Sequence, residues 1–156
     1  MSKSVRRVET ALTRAGLSVE VVEMAEETRT AGQAAMAAGC VLDQIAKSII
    51  FRGEFSGRAV LFITAGGNLV DPVKASAAAG ESLGKADAGL IRAETGFAIG
   101  GVAPIGHLAP VRAFFDPKLL TYDRVWAAAG TPRHIFAISP QALLRLSLAR
   151  QADFTV

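Results

Sequence analysis

A chain of 156 residues, 51% hydrophobic and 20% charged, suffices for one domain with one sizeable core and excludes a disordered, solvating tail. No apolar run reaches the roughly 18 residues of a bilayer span, and the basic start MSKSVRRVET lacks the apolar stretch of a secretory signal. The net charge of +3 sets 17 basic residues against 14 acidic ones, which admits a polyanionic partner without requiring one.

The elements follow in order. Ser4 is placed to cap a helix with Val5, Val8, Leu12 and Ala15 on one face, ended by Gly16. Residues 17–24 alternate as a strand. Thr30 and Gln33 have capping-box spacing and open the small-residue helix AGQAAMAA, which Gly39 stops. Residues 44–51 and 58–64 read as paired strands, with Gly53 and Gly57 at the turn between them. Asp71-Pro72 opens a helix that ends at Gly80. A short strand at 83–86 is followed by a helix capped by Asp87 and closed by Gly96. A glycine-rich loop, Gly100 to His107, precedes strands at 111–115, 125–129 and 134–138. Ser139-Pro140 opens a last helix carrying Leu143, Leu144, Leu146 and Leu148, and residues 152–156 form a tail suited to an edge strand. Strands interrupted by short helices at hairpin-like spacing predict an α+β domain and not a doubly wound parallel sheet.

Lys47 is the most informative position. In a strand, Ile45, Lys47, Ile49 and Phe51 share one face while Ala46, Ser48 and Ile50 share the other. Both faces are otherwise apolar or small, so the strand is expected to be central and its ammonium must be directed somewhere specific. Three destinations fit that context: solvent at a rim, a buried carboxylate, or the phosphate or carboxylate of a ligand.

Three glycines and Pro104 in the loop at 100–107 allow sharp turns and close approach to a ligand. Its N–H groups could hold a phosphate or an oxyanion, although a plain connection also has this composition. The loop matches neither the dinucleotide fingerprint nor the P-loop. His107 adjoins it, whereas His134 opens a strand and reads as structural. A single cysteine, Cys40, excludes an internal disulfide, and with two scattered histidines it gives no zinc spacing. No metal or cofactor is expected. The compartment expected is the reducing cytoplasm, with no membrane partner.

Several of these pieces, in order, resemble the YbaK/EbsC family, freestanding relatives of the editing domain inserted in bacterial prolyl-tRNA synthetases. They are Arg29-Thr30-Ala31 through Ala34-Ala35 to Gly39-Cys40, then Gln44-Ile45-Ala46-Lys47-Ser48. Gly96-Phe97, Gly100 through His107, and Gly130-Thr131-Pro132-Arg133 complete the set. The resemblance implies one domain over residues 1–156, α+β, with a mixed and partly barrel-like sheet flanked by short helices. It also implies hydrolysis of the ester joining a small, wrongly attached amino acid (alanine, cysteine or serine) to proline-specific tRNA. The partners implied are the acceptor end of aminoacyl-tRNA and prolyl-tRNA synthetase. The family's functional lysine falls on Lys47, its G-x-x-x-P motif on Gly100 to Pro104, and the glycine of its later turn on Gly130. On this basis Lys47, Gly100 and Gly101 are expected to be catalytic, and Thr30, Ser48, Val102, Pro104, Gly106, His107 and Gly130 to contact substrate. Two alternatives stay open: a non-catalytic tRNA-binding module, and a small-molecule site built on Lys47 and the glycine loop.

Overall fold

The first helix, α1 (Lys3–Arg14), starts earlier than the sequence predicts, because Ser2 and not Ser4 supplies its cap, the Ser2 hydroxyl accepting from the Val5 N–H at 3.1 Å. Its apolar stripe of Val5, Val8 and Leu12 is buried as expected. The computed structural model describes residues 2–156. The strand expected over 17–24 shrinks to β1 (Val21–Glu23), an edge strand paired antiparallel with His134, Ile135 and Phe136. Thr30 closes a complete capping box with Gln33 at the start of α2 (Ala31–Ala38), and Gly39 ends that helix in the left-handed conformation. A 3₁₀ turn, Leu42–Gln44, absent from the sequence expectations, then feeds β2 (Ala46–Gly53), which turns back into β3 (Ala59–Ala65).

Asp71 caps α3 (Pro72–Ala79), accepting from the N–H groups of Val73 and Lys74. β4 (Leu83–Lys85) follows, then α4 (Ala88–Thr95), capped by Asp87. Beyond the glycine-rich loop come β5 (Arg112–Phe115), a 3₁₀ turn at Pro117–Thr121, the hairpin of β6 (Val125–Ala128) and β7 (His134–Ile138), α5 (Pro140–Leu146) and β8 (Arg150–Gln151). The C-terminal edge strand lies slightly earlier than expected. Arg150 and Gln151 pair in parallel with β5, whereas Thr155 makes only a single bridge to Val70. Leu148, expected on the apolar face of the last helix, is instead past its end at positive φ and 86% exposed.

Two sheets result, ordered β1-β7-β6 and β4-β2-β3-β5-β8. The α+β class is as expected; among the described residues the two sheets share one backbone bridge, Ile45 to Trp126, and do not close into a barrel. Every residue of β3 is buried, so β3 and not β2 is the fully covered strand. Alternation along β3 divides the core. Leu61, Ile63 and Ala65 meet α1, α4, α5 and the smaller sheet, while Val60 and Phe62 meet α3 and the C-terminal tail. Phe62 stacks on Phe114 at 5.3 Å and meets the rings of Phe51 and Phe154 edge-on at 5.7 and 4.9 Å, arrangements worth about 0.5–1.5 kcal/mol each beyond burial.

Asp116, 3% exposed, joins the ends of β3 and β5. Its Oδ2 accepts from the Ala65 N–H at 3.1 Å and Asn68 Nδ2 at 2.8 Å, and its Oδ1 accepts from the Lys118 N–H at 3.0 Å. Replacing it by alanine removes a helical cap and strands a buried N–H. Asp116→Ala is therefore expected to lower the unfolding free energy by about 2–4 kcal/mol, read from the urea midpoint at unchanged m.

Candidate active site

The two sheets part immediately after the Ile45–Trp126 bridge. On its free side β2 meets β4 only from Phe51 onward, so residues 46–50 have no strand partner there. β6 is likewise the edge of its own sheet beyond the bridge. A cavity of about 420 Å³ fills the wedge between them. Its wall includes five consecutive residues of β2, Ala46 to Ile50, and three of β6, Trp126 to Ala128. Consecutive residues face it because strand edges, not one pleated face, form the wall. Ile91, Val102 and Ile135 make the deep end apolar, and Arg29, Thr30 and Ile99 form an exposed rim.

Lys47 lines this cavity and is half-buried. Its Nζ donates to the Gly66 carbonyl at 3.1 Å, which uses one of the ammonium's three donors. Burial pushes its pKa down, and the nearby Asp43 and Asp116 carboxylates act against that shift. Neither carboxylate forms an ion pair with it among the described residues. The carbonyl is fixed by the turn after β3. A Cβ on Gly66 would collide with the Leu42 carbonyl, and the Gly67 N–H donates to Asp43 at 2.7 Å. Gly66, Asp43 and Asp116 were not singled out from the sequence; the only signal there was the glycine pair directly following a strand.

Gly100 also lines the cavity, at φ +94°, where a Cβ would press on the Arg29 guanidinium. The N–H groups of Gly100 and of its cavity-lining neighbour Val102 make no hydrogen bond among the described residues. Gly101 is different: its N–H donates to the Ala98 carbonyl at 3.1 Å, and a Cβ there would lie 2.6 Å from the Thr131 backbone. It therefore serves as the contact between two loops and does not line the cavity. Thr28 completes the junction, its N–H and hydroxyl both donating to the Pro132 carbonyl. The motifs around Thr30, Gly100 and Gly130 thus converge, and Lys47 and Ser48 line the same cavity as Thr30 and Gly100. Ser48 lines the cavity, but its Oγ is sealed from solvent and has no hydrogen-bond partner.

The sequence profile of the aminoacyl-tRNA editing domain matches residues 25–146 of this chain. The chain belongs to the aminoacyl-tRNA editing domain family. Over its whole length it is similar, at 46% identity and a TM-score of 0.92, to a crystal structure described as a candidate trans-editing enzyme for prolyl-tRNA synthetase, 99% of which is covered. A second solved structure, the hypothetical protein APE2540, is 25% identical with a TM-score of 0.87 over 96% of this chain and 99% of that one. YwhH of Bacillus subtilis (strain 168), an uncharacterized protein, is 29% identical over 147 residues, covering 94% of this chain and 93% of YwhH.

Within this editing domain, Lys47, Gly100, Thr30, Ser48 and Val102 are brought together at the cavity, whereas Pro104, Gly106, His107 and Gly130 do not line it. Gly106 and Gly130 pack against the α1 backbone at Arg7 and Ser4. His107 is part-buried beside Phe97, their rings 6.1 Å apart. Its Nε2 lies 2.7 Å from the Ala103 carbonyl; a carbonyl only accepts, so Nε2 carries the hydrogen. These residues hold the loop's shape from behind. Cys40, expected to be an inert thiol, is half-buried against the cluster of Ala34, Ala35 and Ile45, and burial pushes its pKa up. No group of three or more potential metal ligands occurs among the described residues, and no helix is long and apolar enough to cross a membrane.

Burial lowers the His107 pKa, and the Arg7 charge acts in the same direction. The unfolded chain therefore takes up this proton more readily than the folded one. The contribution to stability is complete above the ordinary imidazole value of about 6.5 and is lost as pH falls through the depressed folded value. Between pH 7 and pH 5 the wild type is expected to lose more of its Tm than His107→Gln, which keeps a donor for Ala103. Equal losses in a melting series would remove His107 as the source.

Proposed function

We propose that this editing domain acts in the cytoplasm as a trans-editing hydrolase, removing small non-cognate amino acids such as alanine, cysteine or serine from mischarged tRNA(Pro). One observation carries the reading: a single cavity is lined both by the half-buried Lys47 and by Gly100 and Val102, whose N–H groups make no hydrogen bond among the described residues. A volume of about 420 Å³ is in the range of small-molecule sites. It has room for a terminal nucleoside as well as a small aminoacyl group.

The reaction is ester hydrolysis. Water attacks the acyl carbon, the bond to the ribose oxygen breaks, and the proton lost by water ends on that oxygen, giving free amino acid and a tRNA hydroxyl. Lys47 would hold the terminal phosphate or a ribose oxygen with its unused donors. The free N–H groups at Gly100 and Val102 would face the developing oxyanion, and Gly101, whose N–H is engaged, would not. No aspartate, glutamate or histidine lines the cavity among the described residues. The substrate's own amine or ribose hydroxyl is then the group that orients the water, which suffices for an already activated ester.

Lys47→Ala is expected to reduce deacylation by 10²-fold or more, the scale of losing one transition-state donor, with an unchanged circular-dichroism spectrum. Lys47→Arg is expected to restore little, because a planar fork does not replace a compact ammonium. The assay is a panel of alanyl-, cysteinyl- and seryl-tRNA(Pro) beside a second tRNA, and near-normal turnover in the alanine variant would defeat the reading. The lack of an aspartate, glutamate or histidine in the cavity wall among the described residues favours one second reading, a non-catalytic tRNA-binding module; binding across the panel without any hydrolysis by the wild type would establish it.

A further inference from the structure

A terminal nucleotide seated in the cavity requires the nucleotide before it to leave over the rim. One guanidinium, that of Arg29, belongs to the rim, and a second, that of Arg124, sits over Trp126, a residue of the cavity wall. Arg29 lies 2.9 Å from the Glu27 carboxylate and within 3.5 Å of the Ile99 carbonyl, so its charge is already engaged. Arg124 is exposed and forms no ion pair among the described residues. It precedes β6, and its guanidinium carbon sits 5.1 Å from the centre of the Trp126 ring. Trp126 in turn lines the cavity. One arginine is therefore held by an aromatic face one side chain away from the proposed acyl site.

The support beneath it is specific. Trp126 packs against the cluster of Ala34, Ala35 and Ile45, which holds the ring in place. The Arg124 carbonyl accepts from Gln44 Nε2 at 3.1 Å, while Gln44 Oε1 accepts from the Val41 N–H at 3.1 Å. This ties the backbone under the arginine to the turn that delivers β2. A planar cation held over the indole of a cavity-lining tryptophan, with no carboxylate paired to it among the described residues, suits a phosphodiester together with an unstacked base.

We infer that Arg124, seated on Trp126, is a positioning residue that grips the single-stranded nucleotide immediately 5′ of the aminoacylated one. The inference rests on the deacylation reading for its place in the reaction. Arg124 touches no reacting atom, so it acts on substrate capture and not on the chemical step.

The test compares wild type, Arg124→Ala, Arg124→Lys and, as a control for net charge, Arg145→Ala, an exposed arginine on α5 that lines no part of the cavity. Binding is read by fluorescence anisotropy with a labelled RNA hairpin ending in single-stranded CCA, across a salt series. Arg124→Ala is expected to weaken binding about tenfold or more, the scale of one charge-assisted contact. Its log–log salt slope should flatten by about 0.7, the value for one phosphate on a single strand. Arg124→Lys should keep the slope while recovering only part of the affinity, and Arg145→Ala should match wild type. In deacylation, Arg124→Ala should raise KM for aminoacyl-tRNA with kcat held, and should leave hydrolysis of 3′-aminoacyl-adenosine, which has no phosphodiester, within about twofold of wild type. Unchanged RNA binding and salt slope in Arg124→Ala would overturn the inference, as would an equal loss on the adenosine ester. Wild-type protein that binds the hairpin through Arg124 yet hydrolyses nothing would overturn the deacylation reading and leave the nucleotide grip standing.

Discussion

The site depends on a pairing that stops. β2 and β6 meet at the Ile45–Trp126 bridge and then separate, because β2 continues into a hairpin with β3 while β6 continues into a hairpin with β7. Unpaired peptide groups at a buried strand edge are costly unless something satisfies them. Elsewhere proteins cover such edges; in this fold the gap stays open as a cavity with the backbone in its wall. The small residues Ala31, Ala34, Ala46, Ala127 and Ala128 around it keep side chains from filling the wedge. Alanine at these positions is thus as much a part of the site as the lysine.

A lone ammonium in that wedge needs a setting that keeps it charged without neutralising it through an ion pair. Burial opposes its charge, while Asp43 and Asp116 act the other way. Both carboxylates are committed elsewhere, Asp43 to the Gly67 N–H and Asp116 to Ala65, Asn68 and Lys118. They act on Lys47 through space while holding the turn that presents the Gly66 carbonyl to it. The same groups therefore secure the fold and set the charge, so stability and the site's electrostatics are coupled at Asp116. A directly paired lysine would have to break that pair to take an anionic ligand.

Much of this was legible in sequence where the cause is local. The Thr30–Gln33 capping box, Asp71-Pro72, the Asp87 cap and the glycine stops at 39, 80 and 96 each act within a few residues, and each is found as expected. The start of α1 was misplaced because two serines could cap it and the competition is decided by geometry. Within the site, Lys47 stood out because a charge in an apolar strand must be explained. The glycine-rich loop was legible as a special segment but not glycine by glycine. Whether an N–H is free depends on partners elsewhere: Ala98 takes the one from Gly101, and Thr131 and α1 set the limits at Gly101, Gly106 and Gly130. Gly66 escaped notice for the same reason, since its importance lies in a close approach to Leu42.

The composition of the cavity wall limits the chemistry it can support. With an ammonium, a guanidinium and free amides but no carboxylate or imidazole among its described lining residues, the wall can orient and stabilise charge far better than it can move protons. An amide substrate would require a protonated leaving group; an aminoacyl ester does not, and it brings an amine and a ribose hydroxyl with it. Selection among small side chains must then fall to the deep end, where Ile91, Val102, Ala127 and Ile135 are all buried. One added methylene there is worth only about 1–3 kcal/mol. Those apolar walls give a hydroxyl or thiol no partner of its own, since the Ser48 oxygen is sealed from the space it borders. In the proposed deacylation, side chains are therefore sorted by size and apolarity at the deep end, and the nucleic acid is captured separately at the rim.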